Sequence, residues 1–466
     1  MNLHELFKRV QKKMSPAQVV IASFFGVIAI GSILLMLPVS HQPGIRVSPI
    51  DAAFTATSAV CVTGLVTLVT ATTWSLFGKV VILCLIQIGG LSLGTVFTYF
   101  LIHIGKKVGL KDRLTIQAGF NIDDMGGMVR MVIMVIRGTF IIEGVAAVLL
   151  AAFFLSKNYI WYDALFYGIF HAVSAFCNAG FDIIGDVSLE GYVGSPFINI
   201  VIMSLIVFGG IGFSVWRDIV GKIRYKVRPA VKKKFPLSLH SKFAIITTVV
   251  LILVGTLYFW MSESNNPETL GKLDASDKWM AALFQSVTLR TAGFASIPQA
   301  GLSEASKLVS SILMLIGGSP GGTAGGIKTV TIAILFCSVS STLKGYQRIT
   351  AFKRSIPETI LRKALSIVII MLSLWIGGTL LLSLAEQSSV FPYTSVDLLF
   401  EVASALGTVG LTTGITPHLS VIGKAIIMLC MFVGRIGPLA IILSLVKRTN
   451  QVNEKILYPY ENVMIG

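Results

Sequence analysis

The sequence predicts an all-α integral membrane protein built from four similar helix–loop–helix repeats. Of its 466 residues, 54% are hydrophobic and only 13% are charged, whereas a soluble protein carries about 25% charged residues. Several apolar runs are long enough to cross a hydrocarbon core of about 30 Å. A short glycine-containing segment also recurs four times between these runs, which indicates internal duplication.

Eight apolar runs are the candidate membrane-spanning segments. Each holds roughly 18 or more residues with few or no charges, which is enough for a helix to cross the bilayer. The runs lie at 19–38, 74–104, 131–155, 195–216, 242–260, 308–338, 364–385 and 421–446. Basic residues precede the first run, as they do in a signal peptide, but no small-residue cleavage site follows it. We therefore expect the first run to be a span.

The net charge of +16 is concentrated on one side of these spans. Basic clusters lie at 8–13, 106–113, 224–234, 344–354 and 447–448, whereas acidic loops lie at 182–190 and 263–274. The positive-inside rule then predicts that both termini and the loops at 105–125, 221–240 and 343–362 are cytoplasmic. Nucleic-acid binding is disfavoured, because the basic residues follow spans and leave no soluble domain to hold a nucleic acid.

The four recurring segments define the repeat. They read SAVCVTGL (58–65), SAFCNAGF (174–181), SVTLRTAGF (286–294) and SALGTVGL (404–411). Their glycines, at 64, 180, 293 and 410, are separated by 116, 113 and 117 residues. A fixed period of this kind indicates repeated structural units. We therefore divide the chain into repeats at 1–115, 116–235, 236–350 and 351–466.

An apolar stretch of 8–13 residues precedes each segment and opens on an aspartate: Asp51, Asp163, Asp277 or Asp397. Aspartate is a good helix N-cap, so each stretch is predicted to be a capped helix, too short to span the bilayer. Nonhelical backbone at mid-membrane depth is tolerated only where it is buried in protein or lines water. Four loops meeting on one axis satisfy that condition, whereas simple turns in a helical bundle do not explain the constant period.

The composition of the loops indicates what they bind. Glycine frees the backbone to take conformations that other residues avoid, so carbonyl groups can point at an ion. Rings of carbonyls that replace a hydration shell form the filter of potassium channels, which is built from TVGYG loops. GTVGL at 407–411 is a near copy of that loop. The C-termini of the short helices add partial negative charge, so the loops predict a central pore for cations, like that of a K+ channel.

A second glycine motif follows each loop after 24–29 residues. It reads IGG at 88–90, FGG at 208–210, IGG at 316–318 and VGR at 433–435. In the first two repeats we favour close helix packing over a break in the helix. In the third repeat, GGSPGGTAGGIK at 317–328 is too rich in glycine and proline for a continuous helix. It lacks the Gly-Lys-Ser/Thr ending and the strand context of a phosphate-binding loop.

In the fourth repeat, Arg435 replaces the second glycine in the middle of an apolar run. A charged residue inside a span is costly and is a functional hypothesis by default. Snorkelling to the membrane surface is disfavoured, because about ten residues separate Arg435 from the nearest charges, Lys424 and Lys447. The guanidinium carries five donors, and the broken third-repeat helix leaves carbonyls free. We therefore expect Arg435 to bond these carbonyls in the ion path.

These motifs resemble the Trk/Ktr/HKT superfamily of potassium transporters, and within it the bacterial KtrB-type membrane subunits. The resemblance covers nearly the whole chain and rests on VTGL (62–65), CNAGF (177–181), TLRTAGF (288–294), GTVGLTTG (407–414), GGSPGGTAGGIK (317–328) and FVGRIGP (432–438). It implies a K+ selectivity filter with one glycine per repeat, and a gate beneath it at 317–328. Cys61 stands where the family often has threonine, and Leu289 stands where it often has proline.

The resemblance assigns the site residues by motif. The filter, whose carbonyls would bind K+, is Val62, Thr63, Gly64, Asn178, Ala179, Gly180, Thr291, Ala292, Gly293, Thr408, Val409 and Gly410. The gate is Gly317, Gly318, Gly321, Gly322, Gly325, Gly326, Lys328 and Arg435.

The predicted function is K+ uptake through one pore per chain in a bacterial plasma membrane. A Na+-permeable or Na+-coupled transporter of the same superfamily is the alternative. A membrane enzyme acting on a lipid is disfavoured, because no motif clusters Asp, Glu or His at one face. The resemblance also implies a homodimer with a cytosolic ring of nucleotide-binding RCK-type subunits, similar to KtrA or KtrC. The basic loops are predicted to dock this ring or anionic membrane lipids. No cofactor is predicted besides the transported K+ or Na+.

The remaining polar residues within the spans are predicted to be structural. The five cysteines are odd in number and lie in apolar context, so we expect buried thiols rather than disulfides or metal ligands. Glu143 is expected to pair with Arg137 on its own segment or with a neighbouring helix. His171 is expected to be a packed, hydrogen-bonded residue.

Overall fold

Helices form nearly all of the regular structure. The computed structural model describes residues 16–91, 95, 96, 99, 128–227, 237–387 and 391–437. The sheet content of these residues is one two-stranded antiparallel hairpin, so the predicted all-α class is confirmed. The basic clusters at 8–13, 106–113 and 447–448, and most of the cluster at 224–234, lie outside the described residues.

The first repeat contains a long helix, a half-length helix and a second apolar helix. In order, α1 spans Pro16–Met36, α2 spans Pro49–Cys61, α3 spans Thr70–Thr73 and α4 spans Leu76–Leu91. α2 starts well because its first residue is proline and Ser48 caps it by accepting a hydrogen bond from the Asp51 amide. α4 runs without interruption through the glycine motif at 88–90. A Cβ on Gly89 would lie within 3.0 Å of the Val60 carbonyl oxygen, in keeping with close helix packing.

The second repeat bends directly after its glycine motif at 208–210. Here α5 spans Met128–Ser156, α6 spans Trp161–Cys177, α7 spans Pro196–Gly210 and α8 spans Phe213–Val227. The motif at 208–210 lies within α7 and packs closely, as expected, because a Cβ on Gly209 would lie within 3.0 Å of the Phe176 carbonyl oxygen. The alternative of a break also occurs, directly after the motif, where α7 and α8 meet at an angle of 100°. Gly212 makes the bend possible, because it has a φ of +94° and a Cβ there would lie 2.6 Å from the Pro320 carbonyl oxygen.

The third repeat is interrupted where its composition predicts. α9 spans Leu239–Glu263, α10 spans Ala275–Thr288, α11 spans Glu304–Leu315 and α12 spans Thr329–Leu343. The segment between α11 and α12 is nonhelical and contains the glycine-rich stretch. The hairpin of β1, Thr350–Ala351, and β2, Arg354–Ser355, follows α12.

The fourth repeat completes the series. α13 spans Glu358–Ala385, α14 spans Ser395–Gly407 and α15 spans Val421–Ile436. The start of α14 carries a capping box, in which Thr394 and Asp397 each bond the other's backbone amide. The expected end of the last span, at 446, lies outside the described residues.

The four aspartates of the short helices do not occupy the predicted capping position. Asp51, Asp163, Asp277 and Asp397 are each the third residue of their helix. Ser48 and Thr394 cap α2 and α14 by accepting hydrogen bonds from the aspartate amides. The aspartates still favour the helix start, because a negative charge in the first turn complements the helix dipole.

Four helices are long and apolar enough to cross a membrane by themselves. They are the first helix of each repeat: Gln18–Met36, Val129–Ser156, Leu239–Glu263 and Glu358–Ala385. The bent pair α7–α8 makes a fifth candidate. The other second-half spans are shorter apolar helices, are broken, or extend past the described residues. Thus the eight predicted runs are not eight uninterrupted spanning helices within the described part of the chain.

The distribution of side chains suits a protein surrounded by lipid. Each of the four short helices buries at least one phenylalanine completely: Phe54, Phe170 and Phe176, Phe284, and Phe400. The long helices instead expose large apolar residues such as Val148, Ile369 and Leu384. Apolar groups facing outward and hydroxyl-bearing loops held inside indicate that hydrocarbon, rather than water, covers the long helices.

Candidate functional site

The four glycine loops, at 62–64, 178–180, 291–293 and 408–410, share one backbone conformation. Their first residues, Val62, Asn178, Thr291 and Thr408, have φ values of 55°, 58°, 72° and 52°. Their last residues, Gly64, Gly180, Gly293 and Gly410, have φ values of 97°, 67°, 83° and 97°. Two left-handed residues separated by one other residue therefore occur in every repeat. Such a shape strains an ordinary residue and suits glycine.

The glycine loops meet in a closed ring. A Cβ on Gly64 would lie within 3.0 Å of the Ala179 carbonyl oxygen, and one on Gly180 within 3.0 Å of the Ala292 oxygen. The sequence of contacts continues from Gly293 to the Val409 oxygen, and from Gly410 back to the Thr63 oxygen. Each glycine therefore packs on the loop of the next repeat in chain order. The contacts therefore run from the first loop through the fourth and back to the first.

Hydroxyl groups at the ends of the short helices hold the loops in shape. Ser58 accepts a hydrogen bond of 3.0 Å from the Gly64 amide, and Ser404 accepts one of 3.0 Å from the Gly410 amide. In the other two repeats, Ser174 and Thr288 donate to the carbonyls of the residues that follow the glycines. These bonds leave the loop carbonyls before each glycine free of the short helices.

Three loop threonines bury hydroxyl groups that have no hydrogen-bond partner among the described residues. They are Thr63, Thr291 and Thr408, whose side chains are at most 1% exposed. A buried polar group without a partner is costly, so these hydroxyls mark positions suited to a polar or ionic guest. Cys61 and Leu289, the two departures from the family pattern, are fully buried outside the loops and do not interrupt the ring.

The glycine-rich segment 317–328, here called the candidate gate loop, connects the end of α11 to the start of α12. Its base is closed by the Gly317 amide, which donates to the Ile327 carbonyl at 2.9 Å, and by the Ile327 amide, which donates to the Leu315 carbonyl at 2.8 Å. The side chains of Ser319 and Thr329 also bond each other, at 2.8 Å. The segment is thus an ordered loop with defined ends.

The candidate gate loop lies against the ring of glycine loops. Its Gly325 leaves no room for a Cβ beside the side chain of Thr408, and its Gly317 lies against the methyl group of Thr291. Its amides at 319 and 323 donate to the carbonyls of Gly210 and Gly209, at 2.8 and 3.1 Å. The bend after α7 frees those carbonyls, so the break in the second repeat provides the bonding edge for the loop from the third.

Arg435 joins three repeats at this level. Its guanidinium donates to the Thr323 carbonyl of the candidate gate loop and to the Gly89 carbonyl of α4. A further bond of 3.3 Å reaches the Gly90 carbonyl. Lys328 donates within the loop, to the Ala324 carbonyl at 2.6 Å and the Gly325 carbonyl at 3.3 Å. The predicted gate residues are therefore brought together, and Thr323 is a partner that the sequence did not single out.

Arg290 is a buried arginine that the sequence analysis missed. It lies between α10 and the third glycine loop, is 8% exposed, and donates to the carbonyls of Thr248 and Gly317, both at 3.2 Å. It therefore ties the base of the candidate gate loop to the long helix α9. Its position beside the glycine-loop motif was the available signal, because a charge there is as unexpected as Arg435.

Ion pairs link neighbouring repeats at the starts of the short helices. Lys424, the fourth residue of α15, lies 2.7 Å from Asp51 in the first repeat. Lys307, the fourth residue of α11, lies 3.0 Å from Asp397 in the fourth repeat. In both pairs a second-half helix holds the short helix of the following repeat. The pair of Lys424 and Asp51 therefore closes the chain of repeats on itself.

The other polar residues singled out by sequence have hydrogen-bond partners of their own. His171 is fully buried, and its Nδ1 bonds the Tyr167 carbonyl at 2.7 Å. Glu143 accepts a hydrogen bond of 3.2 Å from Gln87 on α4, which is the neighbouring-helix alternative rather than the Arg137 pair. The five cysteines are all free thiols; Cys61, Cys177 and Cys430 are buried as expected, whereas Cys337 is half-buried and Cys84 is exposed. No cluster of possible metal ligands occurs among the described residues.

Comparison with known proteins identifies the family. Residues 5–455 match the family model of TrkH, described as a cation transport protein. The chain belongs to the TrkH family. Two relatives are each 40% identical to it: the potassium/sodium uptake protein NtpJ of Enterococcus hirae, over 461 residues, and the Ktr system potassium uptake protein B of Bacillus subtilis, over 454 residues. The first alignment covers 98% of this chain and 99% of NtpJ, and the second covers 97% of each protein.

A solved TrkH structure shows the same fold. The potassium transporter TrkH of Vibrio parahaemolyticus superposes with a TM-score of 0.67, covering 93% of this chain and 86% of that one, at 19% sequence identity. Membership of the TrkH family makes the chain a transporter rather than an enzyme. Together with the apolar helices, it also makes the chain a multi-pass membrane protein.

Proposed function

We propose that this chain is the ion-conducting subunit of a Ktr-type system for K+ uptake across a bacterial plasma membrane. The observation that carries the proposal is the closed ring of four glycine loops. The ring sets carbonyl groups around one axis, and such rings select K+ by replacing its hydration shell. Relatives named for potassium uptake, including the Ktr system proteins of Bacillus subtilis and Vibrio alginolyticus, support K+ as the transported ion.

In this proposal the filter is the backbone of the glycine loops. The carbonyls of Thr63, Ala179, Ala292 and Val409 directly precede the glycines and lie against the neighbouring loops. The four short helices direct their C-terminal ends at the same axis, which adds partial negative charge where a cation would lie. Side chains contribute little to coordination, so differences such as Asn178 opposite Thr408 are compatible with one filter.

The gate in this proposal is the candidate gate loop together with Arg435. A guanidinium below the filter repels a cation, and its bonds to the Thr323 and Gly89 carbonyls hold it in the path. Opening then requires these bonds to break and the loop to move aside. A cytosolic ring of RCK-type nucleotide-binding subunits, acting on a homodimer of this chain, would control that movement. The basic loops on the proposed cytoplasmic side would dock the ring or anionic lipid.

A Na+-permeable or Na+-coupled transporter is the second candidate, favoured by the relative named as a potassium/sodium uptake protein. Uptake of radioactive rubidium by a bacterial host that lacks its own K+ uptake systems separates the two. K+-selective conduction predicts rubidium uptake that 10-fold excess Na+ does not reduce. Competition by Na+, or uptake that requires it, would support the second candidate, and no uptake above the empty host would defeat both.

A further inference from the structure

A cavity of about 320 Å³ opens on the outer side of the helices, between α4, α5 and α6. Leu83, Cys84 and Gln87 of α4 form one wall, and Phe140, Glu143 and Gly144 of α5 form another. The wall is mostly apolar, and Phe140 at its edge is 58% exposed. Small-molecule sites in proteins begin at roughly this volume and are typically apolar with a few polar groups. None of the roles given above uses this cavity.

Glu143 is the charged side chain among the residues that line the cavity, and it forms no ion pair within the described part of the chain. Its side chain is 4% exposed and accepts one hydrogen bond of 3.2 Å from Gln87 Nε2. Cys177 Sγ lies 3.9 Å from the second carboxylate oxygen. No lysine, arginine or histidine of the described residues forms an ion pair with Glu143. A carboxylate in hydrocarbon without a cation is costly, so the site favours a guest that carries positive charge.

The depth of the cavity restricts the guest. Cys177 is the last residue of α6 and directly precedes the second glycine loop, so Glu143 lies at the level of the loops rather than at the membrane surface. A phospholipid headgroup remains at that surface. We propose that the cavity binds a small lipophilic amine as its ammonium ion, with Glu143 as counter-ion and the apolar walls around its hydrocarbon body.

The cavity is connected to Arg435 through helix α4. Gln87, the partner of Glu143, precedes Gly89 and Gly90 on the continuous helix α4, and both glycine carbonyls accept hydrogen bonds from Arg435. Helices α4 and α6 are tightly packed at this point, because a Cβ on Gly90 would lie within 3.0 Å of Cys177 Sγ. A ligand that fills the cavity in this arrangement stabilises the arrangement with Arg435 bonded. This effect on transport rests on the proposed function, whereas binding itself does not.

The test uses the purified full-length chain with 1-aminoadamantane as probe and 1-adamantanol as its neutral isostere. We expect the amine to raise the melting temperature by several degrees and the alcohol to leave it unchanged. Glu143→Gln preserves the shape of the side chain and should abolish the shift. In liposomes, saturating amine should lower rubidium flux at least threefold in the unmodified chain and leave Glu143→Gln unaffected.

A second variant guards against loss of folding in Glu143→Gln. A Cβ on Gly144 meets nothing within 4 Å, so Gly144→Leu should fold normally and fill the mouth of the cavity. It should keep the melting temperature of the unmodified chain and lose the amine shift. An equal shift with the alcohol, an equal shift in both variants, or no shift at all would overturn the site. If the amine raises the melting temperature in a way that depends on Glu143, but the chain conducts no rubidium, the binding site is supported and the conduction proposal is contradicted.

Discussion

Position 410 has no room for any side chain larger than the hydrogen of glycine. A Cβ there would lie within 3.0 Å of the Thr63 carbonyl oxygen, on the neighbouring glycine loop, and the backbone has a φ of +97°. Two separate costs therefore oppose substitution: strain of about 1–2 kcal/mol from the left-handed backbone and displacement of the adjacent carbonyl. The second cost falls on the group proposed to bind the ion, so it should change selectivity rather than stability alone.

We expect Gly410→Ser and Gly64→Ser to reduce the preference for K+ over Na+ by about tenfold, which corresponds to about 1.4 kcal/mol. The reason is that a carbonyl moved by a few tenths of an ångström no longer fits a dehydrated K+. Competition between rubidium and Na+ in whole-cell uptake measures the effect.

Gly414→Ser is the matched control for this experiment. Gly414 has nearly the same backbone conformation, with a φ of +96°, but a Cβ there meets nothing within 4 Å. It should carry the backbone strain without a change in selectivity. Equal loss of selectivity in Gly410→Ser and Gly414→Ser would show that the ring contacts are not responsible.

At the scale of the element, the candidate gate loop illustrates what sequence can and cannot foretell. Six glycines and a proline in twelve residues are incompatible with helix, so the break between α11 and α12 was predictable from local chemistry. The 100° bend between α7 and α8 was not, because FGG alone does not separate packing from breakage. The bend depends on Gly212 fitting against Pro320, a contact between repeats that local sequence does not encode.

The same limit applies to the partners of charged residues. Arg435 was identifiable because a charge in an apolar run requires a partner, but the choice of Thr323 and Gly89 depends on tertiary placement. The sequence predicts Asp51 as a helix cap, whereas it is the third residue of its helix and pairs with Lys424, which is 373 positions away. Sequence periodicity thus located the elements, and the contacts between them came from the structure.

We expect Arg435→Ala to increase rubidium flux through the chain reconstituted in liposomes without a regulatory partner. Hydrogen bonds to a charged group contribute about 1.5–3 kcal/mol, so their loss should favour the open arrangement by about ten- to a hundredfold. Flux should be expressed per folded molecule, with the folded fraction determined by size-exclusion chromatography.

Arg435→Lys provides the comparison for Arg435→Ala. Lysine keeps the charge, but its single ammonium replaces a planar fork that reaches three carbonyl groups, so flux should fall between those of Arg435→Ala and the unmodified chain. A rate for Arg435→Ala at or below that of the unmodified chain would contradict the gate and leave Arg435 with a purely packing role.

At the scale of the whole molecule, the four repeats are closed into a ring by contacts between the last and the first. Gly410 packs on the first glycine loop, and Lys424 pairs with Asp51, with both charged side chains only 13% exposed. Removing one member of a poorly hydrated pair strongly destabilises the folded protein, because the other charge remains buried without a partner.

Lys424→Met should therefore lower the free energy of unfolding by about 3 kcal/mol. The double variant Lys424→Met/Asp51→Leu should recover much of that loss, because no charge is left unpaired. Thermal unfolding in detergent reports both values, and Lys272→Met, at an exposed lysine, controls for the loss of a positive charge. Additive effects of the two substitutions would argue against a direct pair.

The placement of the basic residues predicts the orientation of the molecule in the membrane. Gln347 and Ser276 are exposed and lie toward opposite ends of α9. Phe352, five residues after Gln347, contacts Phe243 near the start of that helix. Lys278, two residues after Ser276, donates a hydrogen bond of 2.8 Å to the Ser264 carbonyl just beyond the end of the helix. In a chain carrying Cys84→Ser, we expect Gln347→Cys to resist a membrane-impermeant maleimide in intact cells and Ser276→Cys to react. The reverse labelling pattern would show that the basic loops face outward.

The closure of four repeats within one polypeptide has a consequence for inheritance. In a ring assembled from four separate identical chains, a substitution in the gene changes all four quarters at once. If a cell carries one altered and one unaltered allele, it makes a mixture of rings with zero to four altered quarters. Here each codon specifies a residue in one quadrant only, so every ring made from a given gene has the same composition. A substitution in one quadrant leaves the other three unchanged, so the glycine-rich interruption of the third quadrant and Arg435 of the fourth each occur once per ring.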